Sequence, residues 1–212
     1  MPQLIPLIKA SHMYPFLDAL KSISAPVEQL LAECAVEINQ FENPEYLVPE
    51  KPMWEFIERS ANYLDMDNFG FWVTEKCTLD KYGTFGENIM ASPTLFAALN
   101  CFISTMGGQS NCPTFWLQED EQNIWFCRQG IQSMSKGNWQ VEQHVIGLMV
   151  ELARMYLGTE WQPSQVELQS KIISGADKSN VISNSQLLIN QTFTSIAFCR
   201  EDLNQSIQNQ YI

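Results

Sequence analysis

The sequence predicts an α+β fold, with an N-terminal helical segment followed by an antiparallel sheet packed against long helices. Three observations predict it. Through residue 80, apolar side chains recur at helical spacing. Thr114–Gln118 and Ile124–Arg128 are rich in β-favouring side chains and flank the polar turn Glu119–Asn123, which is a hairpin signature. Beyond a long amphipathic stretch at 139–157, further strand-like segments follow on short connections. We divide the chain into a helical segment, 1–80, and an α+β portion, 81–212, together one compact unit.

Each element has a local reason. Residues 13–40 read as helical. Ser24 starts a second helix with Pro26 in its first turn, and Val27, Leu30, Leu31 and Cys34 form its stripe. Asn39 to Pro49 reads as a loop around Asn43-Pro44. Pro52 opens a helix through Leu64, with Met53, Ile57, Ala61 and Leu64 on one face, ended by Asp65-Met66-Asp67-Asn68. Phe69–Val73 reads as a short helix leading into a Tyr82–Gly86 linker. Ser92 reads as an N-cap and Pro93 as the first helical residue. Leu95, Leu99, Phe102 and Met106 then recur at helical spacing until Gly107-Gly108 stops the helix. In the 139–157 helix, Val141, Val145, Leu148, Leu152 and Tyr156 share a face. Strands are expected at Val166–Ser170, Gln186–Asn190 and Thr192–Cys199. The last alternates Thr194, Ile196 and Phe198 against Phe193, Ser195 and Ala197. Ser174–Asn184 reads as a polar loop or short helix.

Composition excludes several functions. Twelve Lys+Arg against 24 Asp+Glu give a net charge of −12, which repels a phosphate backbone, so these residues are not expected to bind DNA themselves. A hydrophobic content of 45% is that of a packed domain. Area scaling predicts roughly 10,000 Å² of exposed surface once folded. Six cysteines lack C-x-x-C spacing and only His12 and His144 are present, so no zinc site or other metal site is expected. No run of ~18 apolar residues implies a membrane span. Met1–Ala10 is broken by Pro2, Pro6 and Lys9 and does not read as a signal peptide, so a reduced, cytoplasmic protein is expected. No dinucleotide, Walker-type or nucleophile-elbow motif occurs.

Candidate site residues come chiefly from the aromatics. Six Trp and twelve Phe can line an apolar pocket, and Trp116, Trp125 and Phe193 are the candidates nearest the hairpin and last strand. Arg128 is the candidate inward cation for a carboxylated ligand; its plainer reading is a surface strand charge. His144 on the long helix reads either as a pocket or haem ligand or as a buried histidine satisfied by neighbours. Glu119-Asp120-Glu121 reads as a solvated turn and Cys127 as a buried inert thiol. Glu142 and Glu151, on opposite sides of the helix, do not make a catalytic pair.

Three ordered blocks carry a family resemblance. They are Gly83-Thr84-Phe85-Gly86 with Ser92-Pro93-Thr94-Leu95, then Leu157-Gly158 with Trp161-Gln162-Pro163 and Val166-x-Leu168, then Leu188–Ile207. Together they resemble the N-terminal effector domain of AraC-type transcription regulators. Gln169-Ser170-Lys171 departs from the basic or His-Pro feature usual in that family, and Gln205-Ser206 from its proline region. The resemblance implies a small-molecule-sensing domain without cofactor or enzymatic activity, taking an apolar or carboxylated effector. It implies a homodimer, and contact with DNA only through a helix-turn-helix domain following Ile212. The effector pocket is expected between the hairpin, the 139–157 helix and the 187–199 strands. The alternatives are a small cytoplasmic enzyme with an unrecognised site, or a haem or gas sensor using His144.

Overall fold

In the computed structural model, which describes residues 5–131 and 134–208, the N-terminal half is helical around one short ribbon. Strand β1 (Leu7–Lys9) leads through a 3-10 turn into α1 (Tyr14–Ser22) and α2 (Val27–Ala32). Strand β2 (Leu47–Pro49) returns antiparallel to β1 and runs directly into α3 (Glu50–Tyr63). Helices α4 (Phe69–Thr74), α5 (Thr84–Met90) and α6 (Leu95–Met106) follow.

The C-terminal half supplies the main sheet. The hairpin β3 (Thr114–Glu119) and β4 (Ile124–Gln129) precedes the longest helix, α7 (Asn138–Leu157). Strands β5 (Gln165–Glu167), β6 (Gln186–Leu188) and β7 (Thr194–Phe198) complete a five-stranded sheet of order β3-β4-β7-β5-β6. The sheet is mixed. Its first three pairings are antiparallel, and β5 pairs β6 in parallel. The mixed α+β architecture expected from sequence is therefore present, with that one parallel pair added. The folded chain exposes 10,497 Å², close to the area scaling.

Two hydrophobic cores meet along α4 and α7. The first gathers β2 and α1 to α3 with Phe69 and Val73 of α4. The second gathers α5, α6 and the inner face of the sheet with Phe71 of α4 and most of α7. The two helices approach so closely that a Cβ on Gly70 would lie 2.0 Å from the Gln140 carbonyl oxygen. A Cβ on Gly147 would lie 2.7 Å from the Thr74 side chain. Gln140 and Gln143 of α7 accept from the Gly70 N–H, each at 3.0 Å, and donate to the Asp67 carbonyl at 3.0 and 2.7 Å. The side chains of α7 thus cap the start of α4, whose N-cap residue Asn68 makes no side-chain cap.

Several local expectations are corrected. Ser24 does not start α2. It lies at φ 57° and its N–H bonds the Lys21 carbonyl, closing α1. The expected loop at 39–49 contains a 3-10 turn and β2. The expected linker Tyr82–Gly86 is the end of a 3-10 turn followed by α5. The N-cap of α6 is Thr94, whose hydroxyl accepts from Ala97 N–H, whereas Ser92 bonds back to the Asn88 carbonyl and closes α5. The reason is tertiary: Thr94 is extended and bridges Ser206, and Leu95 N–H donates to the Gln205 carbonyl. Strands β5 and β6 are shorter than expected. In the 174–184 stretch, Ala176, Val181 and Ile182 are buried in the second core. The first four residues of the Met1–Ala10 stretch lie outside the described residues.

The α4–α7 contact makes a prediction. Gly70→Ala must push backbone against backbone, so it should destabilise the fold by about 3 kcal/mol in urea unfolding. An exposed control, Gly107→Ala, meets nothing within 4 Å and should change little. Equal stability of the two variants would contradict the close-packed junction.

Candidate functional site

The seam between the two cores is not completely filled. It holds a partly open chamber of about 90 Å³, lined by α1, α3, α5, α6, the hairpin and α7. Trp54 and Ile57 of α3, Phe16 of α1, Phe85 of α5 and Phe102 of α6 line it with apolar surface. Phe115 of β3 and Val141, Val145 and Leu148 of α7 complete it. The stripe Val141–Val145–Leu148, read from sequence as core, is only half-buried because it faces this chamber. Five polar side chains break the apolar wall: His12, Glu50, Tyr82, Arg128 and His144.

His144 is held on both ring nitrogens. Tyr82 Oη lies 2.9 Å from Nε2 and Thr74 Oγ1 lies 2.9 Å from Nδ1. Thr74 Oγ1 also donates to the Gly70 carbonyl at 3.0 Å. The set is satisfied when Nδ1–H donates to Thr74 and Tyr82 O–H donates to Nε2. Burial pulls His144 down to about 3, with the charge of His12 adding to the effect. Burial likewise pulls His12 down to about 4, partly countered by its contact with Gln109. Both are neutral at pH 7. Haem ligation by His144 would first have to displace Tyr82 or Thr74.

Glu50, the first residue of α3, is buried. Its carboxylate accepts from Ser110 Oγ at 2.6 Å and Trp54 Nε1 at 3.2 Å. Burial raises its pKa, against the opposing pull of Ser110, Arg128 and Trp54. Arg128 is 5% exposed. The sheet register sets it between Phe115 of β3 and Thr194 of β7, on the inner face. Burial lowers its pKa, and the nearby charges of Glu142 and Glu50 oppose that. Among the described residues its guanidinium makes no hydrogen bond or ion pair, and Nε is buried without an acceptor. Glu142 does not fold onto it. That carboxylate accepts from Gln169 N at 2.7 Å, Ser170 N at 3.0 Å and the Thr194 hydroxyl.

A second, polar cavity of about 390 Å³ adjoins the first. It is bordered by Asn138, Glu142, Gln169, Lys171 and Gln191, and it shares Trp54 and Arg128 with the chamber.

Of the five site residues expected from sequence, the structure brings two together. Arg128 and His144 both line the chamber. Trp116, Trp125 and Phe193 form a separate cluster with Cys127 and Ala197 on the outer face of the sheet, and none lines either cavity. Trp125 Nε1 donates to Asp120 in the hairpin turn at 2.6 Å, and Trp116 stacks edge-on against Phe193 with centroids 5.2 Å apart. Burial lifts the Cys127 thiol to about 12, in keeping with an inert side chain. The chamber lies between the hairpin, α7 and the N-terminal helices, whereas β7 lines neither cavity. Glu50, Tyr82 and His12 were not singled out as ligand contacts. No periodicity marks them, since tertiary packing alone turns them inward. Among the described residues, no group of three or more His, Cys, Asp or Glu could hold a metal ion, and no helix is long and apolar enough to cross a membrane.

The molecule is thus an α+β module with an apolar chamber at the seam of its two cores. Residues 25–207 match the family described as the arabinose-binding domain of AraC transcription regulators, N-terminal, and the chain belongs to that family. No curated protein sequence matches it. Among solved structures, the crystal structure of the transcriptional regulator CdpR from Pseudomonas aeruginosa is similar in fold, with a TM-score of 0.58 and 14% identity. The match covers 86% of this chain and 56% of that one, so the chain spans little more than half the length of that regulator.

The two histidines set a pH dependence. Their pKa values fall on folding, so the unfolded chain binds more protons than the native one below the ordinary histidine value of about 6.5. Their stabilising contribution is complete above that value and is lost as pH falls. Each should cost about 1 kcal/mol per pH unit. Glu50 works in the opposite sense, since its raised pKa favours the fold at acid pH. The urea midpoint should therefore drop between pH 6.5 and 5, and His12→Gln should flatten that slope by roughly half. A midpoint constant across this window would contradict the neutral, buried pair.

Proposed function

We propose that this chain is the small-molecule-sensing and dimerisation domain of an AraC-type transcription regulator. Its effector, an apolar or carboxylated molecule, binds in the chamber. Residues 1–80 and 81–212 act as the two parts of one sensor unit. The DNA-binding helix-turn-helix domain follows Ile212, the whole protein works in the cytoplasm as a homodimer, and the domain itself catalyses nothing.

The observation that carries this reading is the position of the chamber. It lies where both cores meet, and its walls come from α1, α3, α5, α6, the hairpin and α7. A ligand there meets helices of both cores and the hairpin at once. If one arrangement of the layers fits the ligand better, binding shifts the population toward it. The shift is limited to the difference in affinity between the two arrangements, so moving a two-state balance from 1:99 to 99:1 needs about a 10⁴-fold preference. The family membership of residues 25–207 supports the regulatory context. The charge of −12 supports leaving DNA contact to another domain.

Filling the chamber tests the reading. Val145 faces it from α7. Val145→Trp in the full reading frame, assayed with a promoter-reporter fusion and cell extract as effector source, should fold and bind DNA yet lose its effector response. A response equal to that of the unaltered protein would contradict the chamber as effector site.

A further inference from the structure

Arg128 occupies an unusual place. A guanidinium carries five N–H donors in a planar fork and stays charged at any relevant pH. This one is buried, yet among the described residues it bonds to nothing. A buried polar group without a partner costs free energy comparable to a lost hydrogen bond, and a charged one costs more. The nearest carboxylates are committed elsewhere: Glu142 to two backbone N–H groups and Thr194, Glu50 to Ser110 and Trp54. The backbone leaves room for the fork, because a Cβ on Gly130 would lie 2.6 Å from Arg128 Nη1.

The second observation is that Arg128 and Trp54 line both cavities. They form the neck between an apolar chamber and a polar vestibule. On the vestibule side stands Lys171, which has no ion pair among the described residues. In a chain of net charge −12, two cations, Arg128 and Lys171, stand at this opening beside one carboxylate, Glu142, whose oxygens are taken up by backbone N–H groups and Thr194.

We propose that the effector is a small amphiphile with one anionic group, its apolar body in the chamber and its anionic end held by Arg128 at the neck. This rests on the chamber being the effector site. A planar carboxylate matches the fork with two parallel hydrogen bonds. The body is short, since about 90 Å³ is the share of roughly three waters, so a larger body enters only by displacing wall side chains. The aromatic wall of Phe85, Phe102 and Phe115 suits a ring or a short chain. A cationic ligand is disfavoured, because both buried carboxylates already accept from other donors. The vestibule is the way in, and Lys171 attracts the anion to it.

Isothermal titration of the 212-residue chain tests this with matched probes. The carboxylates are phenylacetate and hexanoate. The neutral analogues are 2-phenylethanol and hexan-1-ol, and the cationic ones are 2-phenylethylamine and hexylamine. The carboxylates should bind about tenfold or more tightly than the alcohols, and the amines more weakly than either. Arg128→Gln should abolish the carboxylate preference, bringing carboxylate binding down to the level of the alcohols. Should that variant fail to fold by circular dichroism, Gly130→Ala, which displaces the guanidinium, should narrow the same preference. Alcohols binding as tightly as carboxylates, or a preference that survives in Arg128→Gln, would overturn the inference while leaving the chamber as effector site. Saturable binding by none of the probes would overturn both.

Discussion

The structure depends on the contact between α4 and α7. A six-residue helix and a twenty-residue helix approach until Gly70 and Gly147 leave no space for a Cβ. Overpacking at such a point cannot be relieved by side-chain rotation, because on the Gly70 side the opposing atom is backbone. The contact also settles polar accounts. The amides of Gln140 and Gln143 take the Gly70 N–H and the Asp67 carbonyl, and Thr74 takes the ring of His144. Each helix then gives one face to each core, so Phe69 and Phe71 pack in different cores although only two residues apart. A chamber at this seam is bounded by both halves of the protein, which is what a binding site needs if occupancy is to alter their relation.

The chemistry of the seam follows from dehydration. Burial holds both histidines neutral, with the polar hydrogens of His144, Tyr82 and Thr74 directed at one another. That part of the wall is closed and offers a ligand little. Glu50 and Glu142 are likewise occupied. Arg128 differs, as a full charge that makes no hydrogen bond among the described residues, placed where the apolar space meets the polar one. The proposed selectivity rests on the contrast, among the described residues, between satisfied neighbours and this cation. Apolar surface supplies affinity without direction, whereas a fork of donors fixes both the chemical class and the orientation of what binds.

Much of the fold was legible in sequence because its long elements are periodic. The 139–157 helix, the hairpin and the buried positions Leu95, Leu99, Phe102 and Met106 follow from spacing alone. What was not legible depends on partners distant in the chain. The β1–β2 ribbon has three residues per strand and no pattern to detect. The start of α6 is fixed by Gln205 and Ser206, about a hundred residues away, so the nearer Ser92 was the stronger local signal and still not the cap. The site was half legible. Arg128 and His144 share the chamber, but Trp125 is three residues from Arg128 on one strand and must face the other way. Strand parity applied to the hairpin separates Trp116 and Trp125 from the chamber. Parity also aligns Phe115 with Arg128, because they are register partners. Glu50 and Tyr82 could not be found this way, since their inward orientation comes from packing against Ser110 and His144.

The central claim is that the seam between the cores is a ligand chamber whose buried cation, Arg128, faces the occupant. The most direct measurement is a crystal structure of the chain grown with phenylacetate. The account predicts the ring between Val145 and the Phe102–Phe115 pair, with both carboxylate oxygens within hydrogen-bond distance of the Arg128 guanidinium. Density for the ligand elsewhere, or a seam closed by repacked side chains with Arg128 bonded to Glu142, would contradict it.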